Sequence, residues 1–426
     1  MPRPSPASRV SAMASGLVGS EILAIAAQIR ERVAAGAEVC NLTVGDFSPS
    51  QFPVPEALRQ GIVDALEQGR THYPPSAGIP ELRQAVSQLF ARRLSLHYPP
   101  SSVLVAGGAR PLIYAAYRAL VDPGDRVVFP VPSWNNNHYA HMLGADAVPV
   151  VCSPQSRFLP TRRDLERVLP GARLVCICSP LNPSGTAIEP AVLAEICEAI
   201  VAENAVRASA GQRPLYLLYD QIYWMLRMPG VEHATPPGVD PRMADTTIFV
   251  DGISKALAAT GLRVGWAAGP SDIIERMGAI LGHVGAWAPR PEQHATAALL
   301  DDDAALDEHL DSMRKGIGAR LGRLHEGLRA MAEGGLPVEV IAPMGAIYLT
   351  VRIHPFGRAT AKGQRLTTNE HVRQFLLDEA GVAVVPFGAF GVAADDGWFR
   401  LSVGAVSLDQ IEGALTRVEA ALRALG

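Results

Sequence analysis

Short apolar segments alternate with longer amphipathic segments along most of the chain. Val, Ile, Leu and Tyr dominate the short segments, which predicts β-strands in SVLVAGGARP, RVVFPVP, DAVPVVC, ARLVCICSP, PLYLLYD and DTTIFVDG. Helical patterns lie between several of them, such as AVLAEICEAIVAENA and PLIYAAYRALVDPGD, which ends at Pro123 and Gly124. The alternation predicts an α/β fold in which helices cover both faces of a mostly parallel sheet. Active sites in such sheets collect at the carboxyl ends of the strands.

The pattern changes after about residue 270, where SDIIERMGAILGHVG begins a long helical region. Four further strand segments follow it, PVEVIAP, AIYLTVRI, GVAVVP and WFRLSVG, and the chain closes on a helix. This predicts a second, smaller α+β domain. We divide the chain into an N-terminal arm with part of the small domain (1–50), a large domain (51–295) and a C-terminal small domain (296–426).

Composition narrows the classes of function. With 426 residues, 48% of them hydrophobic, the chain can bury a large core, and a net charge of −4 gives no sign of a nucleic-acid or anionic-membrane partner. No segment approaches the ~20 apolar residues of a membrane span. The five cysteines lack a metal-ligand pattern, so we interpret them as buried thiols and expect no metal site. We therefore expect a soluble, cytoplasmic protein whose first dozen residues form a mobile arm.

Reactive side chains stand at the ends of the predicted strands. PLYLLYDQIY ends in Asp220 and Tyr223, ARLVCICSPLNPSG in Asn182, and DTTIFVDGISK in Ser254 and Lys255. Each residue alone has an ordinary structural explanation, such as a turn cap or a snorkelling side chain. If these strands share one parallel sheet, however, all of their carboxyl ends open into one crevice.

Lys255 is one of only three lysines, and it alone lies in an apolar run of small residues, DGISKALAATGLRVGW. An amine, a carboxylate, a phenol, an amide, an aromatic ring and several arginines together form the set that pyridoxal phosphate requires. Its aldehyde needs a lysine amine, and its ring nitrogen needs a carboxylate. Its phosphate needs a helix N-terminus and a cation, and its ring needs an aromatic neighbour.

Six motifs in a fixed order make this indication specific. The motifs are GDFSPSQFPVP, YPPSAGIPELRQAV, DPGDRVVFPVPSW, SPLNPSG, DQIY and GISKALAATGLRVGWAAG. With them the chain resembles the aspartate-aminotransferase superfamily, class I/II aminotransferases of fold type I, over nearly its whole length after the N-terminal arm. The resemblance implies that residues 51–295 bind pyridoxal phosphate. It also implies a homodimer with shared active sites, and ping-pong transfer of an amino group from an L-amino acid to a 2-oxo acid via a lysine aldimine. Specificity would be for aspartate or broader.

The resemblance also implies a role for each candidate residue. Lys255 would hold the cofactor and move the proton between the substrate α-carbon and the cofactor's C4′ carbon, while Asp220 would pair with the pyridine nitrogen. Tyr223 and Asn182 would hydrogen-bond the phenolic oxygen of the cofactor, and Trp134 would stack on its ring. The phosphate would be bound by Gly108, Ala109, Arg110, Ser254 and Arg263, and Tyr73 would reach the phosphate in the partner subunit's site. The substrate α-carboxylate would be bound by Arg400, Gly45 and Asn182.

Some positions depart from the family's pattern. Gly252 stands where a serine usually supplies a phosphate hydroxyl, and we expect Arg110 to compensate. Ala109 stands where some aspartate-specific members carry a lysine, which leaves broader specificity open. His283 and Arg290 are candidates for binding a distal substrate carboxylate, with ordinary surface positions as the alternative.

Other classes of function share parts of this pattern. The same lysine serves lyases, cyclases and eliminations like that of aminocyclopropane-carboxylate synthase, so the motifs do not separate these reactions. Some transcription regulators use this fold as an effector-binding module behind a DNA-binding domain, but few residues precede the motifs here. A nucleotide-dependent oxidoreductase is disfavoured, because no G-x-G-x-x-G follows a predicted strand.

Overall fold

A seven-stranded sheet forms the centre of the molecule, in a computed structural model that describes residues 9–17, 19 and 21–426. Within these residues the strands are β1 (Cys40–Asn41), β2 (Val103–Ala106), β3 (Arg126–Val131), β4 (Asp146–Val151), β5 (Ala172–Cys178), β6 (Tyr216–Asp220), β7 (Thr247–Gly252), β8 (Gly265–Ala268), β9 (Val338–Ile341), β10 (Tyr348–Ile353), β11 (Val382–Ala383), β12 (Val385–Pro386) and β13 (Trp398–Ser402).

Helices connect most of these strands. Over the same described ranges the α-helices are α1 (Ala12–Gly16), α2 (Glu21–Ala34), α3 (Glu56–Glu67), α4 (Pro80–Leu94), α5 (Ala109–Leu120), α6 (Asn136–Leu143), α7 (Arg162–Leu165), α8 (Pro190–Ser209), α9 (Pro236–Val239), α10 (Ile253–Ala256), α11 (Ser271–Val284), α12 (Arg290–Asp301), α13 (Asp303–Glu333), α14 (Asn369–Glu379) and α15 (Leu408–Arg423). Short 3-10 turns cover Pro100–Ser102, Pro154–Ser156, Pro241–Thr246, Thr260–Leu262 and Phe387–Phe390.

The large sheet has the strand order β2-β8-β7-β6-β5-β3-β4. Adjacent strands of this sheet are parallel, except that β8 runs antiparallel to both β2 and β7. The predicted mostly parallel sheet is therefore confirmed. The sequence pattern does not predict β8, because its four residues are too few to show the alternation that marks a strand.

Both faces of this sheet are buried because helices cover each of them. In β3, Val127 and Phe129 pack into a core with α5, α6 and α11, whereas Val128 packs into a core with α3, α4, α8 and α12. This is why the strands read as nearly continuous apolar runs in the sequence. The arrangement leaves the carboxyl ends of the parallel strands as the open edge of the sheet.

A smaller antiparallel sheet has the strand order β12-β13-β10-β9 and packs against α13, α14 and α15. The predicted smaller α+β region is therefore present. The short strand β1 pairs in parallel with β11, so the segment near residue 40 joins this part of the fold. The domain boundaries at residues 50 and 295 stay predictions. Residues 1–8, most of the predicted N-terminal arm, lie outside the described residues.

The described residues contain neither a membrane-spanning helix nor a cluster of metal ligands. No helix in them combines the length and the apolar character that crossing a membrane requires. No group of three or more His, Cys, Asp or Glu side chains in the same residues could hold a metal ion.

Candidate active site

A cavity of about 560 Å³ opens beside the carboxyl ends of β5, β6 and β7. Eleven of the thirteen residues predicted from the sequence line it, namely Gly45, Ala109, Arg110, Trp134, Asn182, Asp220, Tyr223, Ser254, Lys255, Arg263 and Arg400. Gly108 and Tyr73 are the two predicted residues that do not. The convergence follows from the parallel sheet, which brings the ends of sequence-distant strands to one edge.

Lys255 lies on the single turn α10 directly after β7, and its Nζ donates a hydrogen bond to the Gly45 carbonyl oxygen at 2.5 Å. Burial lowers the pKa of Lys255 to about 8, and Asp46 opposes this shift. Three guanidinium groups add to the lowering, those of Arg400, Arg110 and Arg263. The amine therefore loses its proton more readily than an exposed lysine, and an uncharged amine is the nucleophile that Schiff-base chemistry needs.

Asp220 is the last residue of β6, at the floor of the cavity. Burial raises its pKa to about 6, although a hydrogen bond from the Ile222 backbone N–H and the charge of Lys255 act in the opposite direction. Within the described residues the carboxylate accepts only that hydrogen bond, at 3.1 Å, and forms no ion pair. A buried carboxylate with so few partners favours a cationic ligand, and the protonated ring nitrogen of pyridoxal phosphate is such a group.

Tyr223 shares a hydrogen bond with a residue that sequence reasoning missed. Its hydroxyl lies 2.8 Å from the hydroxyl of Tyr348, the first residue of β10, and both side chains are buried. Burial raises the pKa of both phenols, so each stays protonated and able to donate. The available signal was the polar tip of a tyrosine in the apolar segment AIYLTVRI, since a buried phenol usually has a partner.

Arg400 lies on β13 with only 2% of its surface exposed. Its Nη1 donates to Asn182 Oδ1 at 3.1 Å and its Nη2 to the Thr43 carbonyl at 2.6 Å. Its guanidinium lies over the rings of Tyr348 and Phe390, at 4.7 and 4.9 Å from their centroids. Within the described residues Nε has no hydrogen-bond partner, and no carboxylate pairs with the charge. A buried cation without a counter-ion favours an anionic ligand such as a substrate carboxylate.

The N-terminus of α5 and Arg263 form a cradle for an anion. Gly108 precedes the helix with φ 96°, and a Cβ there would collide with the Arg263 guanidinium. Arg263 Nη2 donates to the Gly107 carbonyl at 3.0 Å, and Ser254 lines the same cavity. Free backbone N–H groups at a helix start, joined by an arginine and a hydroxyl, suit a phosphate.

Position 252 has no room for a side chain, which the sequence does not reveal. It pairs with Gly265 across β7 and β8, and a Cβ on Gly252 would lie 2.7 Å from the Val264 carbonyl oxygen and 2.8 Å from the Gly265 Cα. Gly252 therefore lacks the phosphate hydroxyl, and the neighbouring backbone also excludes any larger residue there. The expected compensation by Arg110 stays a prediction; its guanidinium carbon lies 5.3 Å from the centroid of the Trp134 ring.

Tyr73 and the two candidates for binding a distal carboxylate, His283 and Arg290, also lie outside this cavity on their own chain. The Tyr73 side chain is mostly exposed, with 79% of its surface accessible, and packs edge-on against Trp287 at 5.2 Å between centroids. Arg290 Nη1 donates to the Tyr73 carbonyl at 3.4 Å. His283 is exposed in the last turn of α11. Their suggested contacts with a partner subunit or a distal carboxylate stay predictions.

Asp46 and Thr260 are further cavity residues that sequence reasoning missed. Thr260 Oγ1 donates to Asp46 Oδ1 at 2.6 Å. Asp46 follows the predicted Gly45, and Thr260 lies between Lys255 and Arg263, so adjacency to predicted residues was the only signal.

The residues present fit pyridoxal phosphate. Lys255 would hold it covalently, Asp220 would face its ring nitrogen, and the cradle of Gly108 and Arg263 would take its phosphate. Arg400 would remain free for the substrate. When bound, the cofactor supplies an electron sink for the charge left when a bond to the substrate α-carbon breaks.

Comparison with known proteins agrees with this geometry. The sequence model of the family described as aminotransferase class I and II matches residues 37–418. An aspartate aminotransferase of Rhizobium meliloti (strain 1021) is 32% identical over 420 residues, which cover 98% of this chain and 96% of that protein. An aspartate/prephenate aminotransferase of Cereibacter sphaeroides is 31% identical over 406 residues, covering 94% and 95%.

Solved structures are similar over the same extent. The crystal structure of the aspartate aminotransferase from Rhizobium meliloti has a TM-score of 0.88 at 30% identity, covering 98% of this chain and 100% of that one. The aspartate aminotransferase from Thermus thermophilus with maleate has a TM-score of 0.86 at 29% identity, covering 97% and 100%.

Proposed function

The chain belongs to the class I and II aminotransferases and is a pyridoxal-phosphate-dependent aminotransferase, and from this premise we propose that aspartate is among its amino donors. The observation that supports the site assignment best is one cavity that joins the buried amine of Lys255, the carboxylate of Asp220 and the unpaired guanidinium of Arg400. This set provides an attachment point, a partner for the ring nitrogen and a carboxylate-binding group.

The donor class rests on two further observations. Several relatives are named aspartate or aspartate/prephenate aminotransferases. In addition, Arg110 lines the cavity and forms no ion pair within the described residues, so it offers a second positive charge to a substrate with two carboxylates. Ala109 has no charge to add, and a donor range broader than aspartate fits the same cavity.

We assign each residue a part in the reaction. Arg400, oriented by Asn182 and the Thr43 carbonyl, would bind the substrate α-carboxylate by paired hydrogen bonds. Lys255 would accept the proton from the substrate α-carbon and return it during transfer, a general-base role that suits its lowered pKa of about 8. Asp220 would hold the proton on the ring nitrogen.

A single-turnover screen tests the reaction class. The holoenzyme is mixed with each amino acid without an oxo acid, and conversion of the bound cofactor to its pyridoxamine form is followed by absorbance. We expect one conversion per site, fastest with aspartate. Repeated turnover with release of ammonia would contradict transamination and favour a lyase or another elimination reaction.

The central residue is tested by Lys255→Ala. The variant should lose the absorbance band of the lysine-bound cofactor, and turnover should fall by about 10⁴-fold because the general base is gone. Lys315→Ala, at an exposed position on α13, is the matched control and should keep both the band and turnover. Full activity of Lys255→Ala would refute the assignment.

We also propose a homodimer with shared active sites, located in the cytoplasm. Tyr73 is exposed and does not line the active-site cavity of its own chain, so a second subunit would give its hydroxyl a phosphate to bind. The five cysteines are free, which fits a reducing compartment. Sedimentation of the active enzyme should give a dimer, and a fully active monomer would contradict this arrangement. Cell fractionation checks the location.

A further inference from the structure

The segment that carries Gly45 also brings an acidic side chain to the cavity. Asp46 Oδ1 accepts hydrogen bonds from Thr260 Oγ1 at 2.6 Å and from the backbone N–H of Phe47 at 2.8 Å. The preceding residue, Gly45, accepts the hydrogen bond from Lys255 Nζ at 2.5 Å. The carboxylate is therefore held in a fixed orientation one residue away from the lysine's hydrogen-bond partner.

Thr260 connects this carboxylate to the phosphate end of the site. Its hydroxyl faces Asp46, while its carbonyl accepts a hydrogen bond from Arg263 Nη1 at 2.6 Å. The other terminal nitrogen of Arg263 donates to the Gly107 carbonyl, directly before the α5 cradle. A continuous chain of hydrogen bonds thus runs from Asp46 to the phosphate cradle.

The same N-terminal segment also reaches the substrate end. The Thr43 carbonyl accepts from Arg400 Nη2 at 2.6 Å, three residues before Asp46. Residues 43–46 therefore contact the carboxylate-binding arginine, the lysine and, through Thr260, the cradle. A shift of this short segment would change all three contacts together.

Asp46 also stands out in the charge balance around Lys255. The charged and phenolic groups that face the amine are Asp46, Asp220, Arg110, Arg263, Arg400 and Tyr223. The arginines favour the uncharged amine, and Asp46 is the largest influence in the opposite direction. Because Asp220 would be engaged by the ring nitrogen, Asp46 is the anion left to act on the lysine.

We propose that Asp46, fixed by Thr260, is a positioning residue that orients the Gly45 carbonyl toward Lys255 and places a negative charge beside its amine. This inference rests on the proposed function, because it assumes that Lys255 carries the cofactor. Asp46 lines the cavity, but we assign it no direct contact with the substrate. It acts through Lys255 and through the N-terminal segment.

The test is a pH titration of the absorbance of the lysine-bound cofactor in the full-length holoenzyme. Asp46→Asn keeps an oxygen that can accept from Thr260 but removes the charge, so the titration midpoint should fall by about one pH unit. Asp46→Glu should restore most of the midpoint. Asp409→Asn, at an exposed position in the first turn of α15, is the control and should leave it unchanged.

Thr260→Val separates orientation from charge. It removes the hydrogen bond and keeps the carboxylate, so the midpoint should move less than in Asp46→Asn while kcat falls about 3–10-fold from lost alignment. An unchanged midpoint in Asp46→Asn would overturn the proposal, and so would wild-type behaviour of Thr260→Val. If the holoenzyme titrates as expected yet no amino acid reacts, the proposed donor fails while the role of Asp46 stands.

Discussion

The two ends of the active-site cavity are built in different ways. At the phosphate end, backbone packs so closely against Gly252 and Gly265 that a Cβ has no room there, and a Cβ on Gly108 would collide with the Arg263 guanidinium. At the carboxylate end, large buried side chains meet instead: the Arg400 guanidinium lies over the rings of Tyr348 and Phe390 and is hydrogen-bonded to Asn182. The first end selects by shape and backbone N–H groups, and the second by an uncompensated charge.

This difference predicts which changes each end tolerates. A buried guanidinium loses its function when its charge or fork geometry changes, even if the volume is conserved. Where backbone packs closely against backbone, any added atom instead disrupts the packing, whatever its polarity. Substitutions at the two ends should therefore affect different measurements, substrate kinetics at one and cofactor affinity at the other.

Among the substitutions that test this difference between the two ends, Arg400→Lys should have the largest effect. Lysine keeps the charge but cannot form the paired hydrogen bonds, so kcat/KM should fall by about 10²–10³-fold. Cofactor affinity should change less than about twofold, because Arg400 does not belong to the cradle. Arg352→Lys, on neighbouring β10, is the control. A matching loss of cofactor affinity in Arg400→Lys would remove the distinction between the ends.

Gly252→Ser distinguishes two explanations of why position 252 is a glycine. If the glycine merely lacks a phosphate hydroxyl, serine should tighten cofactor binding. Because its Cβ would meet the Val264 carbonyl and the Gly265 Cα, we expect the opposite, a cofactor Kd raised about tenfold by overpacking. Titration of the apoenzyme with pyridoxal phosphate measures it. Gly261→Ser is the control, since a Cβ at Gly261 would meet nothing within 4 Å.

Sequence reasoning succeeded where function follows from the backbone. Asp220 and Lys255 were predicted because polar residues at the ends of parallel strands converge whatever the side-chain packing. Asp46 and Tyr348 were not, because their places in the site depend on how an N-terminal segment and the smaller sheet pack onto the large one. The closure at Gly252 depends likewise on β8, a strand too short to leave a pattern.

Arg110→Ala should have a smaller effect, and it asks whether Arg110 serves the phosphate end at all. If its charge supports the phosphate, cofactor Kd should rise about 3–10-fold, as expected for one partly exposed ionic contact. Arg118→Ala, exposed on the same helix, is the matched control. If cofactor affinity is unchanged while KM for aspartate rises, Arg110 belongs to the substrate instead.

The smallest effect concerns Asp251, which is buried behind the phosphate end and accepts hydrogen bonds from Trp224 Nε1 at 2.6 Å and the Gly252 N–H at 2.7 Å. Burial raises its pKa to about 8, from an ordinary value near 3.8 in the unfolded chain. Between these values the folded protein holds a proton that the unfolded chain has lost. The contribution of Asp251 to stability is therefore full below about pH 4 and declines as the pH rises toward 8.

Asp251→Asn removes this titration but keeps only one of the two oxygens, so either Trp224 Nε1 or the Gly252 N–H loses its acceptor at every pH. Because that loss does not vary with pH, the Tm of the variant relative to wild type should still rise by about 2–4 °C between pH 5 and pH 8, measured by scanning calorimetry of the apoenzyme. Asp272→Asn, exposed in the first turn of α11, should show no such trend. A Tm difference that stays constant from pH 5 to pH 8 would mean that Asp251 does not titrate in this range. The buried Asp251 carboxylate would then make no pH-dependent contribution to the free energy of unfolding. The two ends of the cavity would differ only in the groups that they bind.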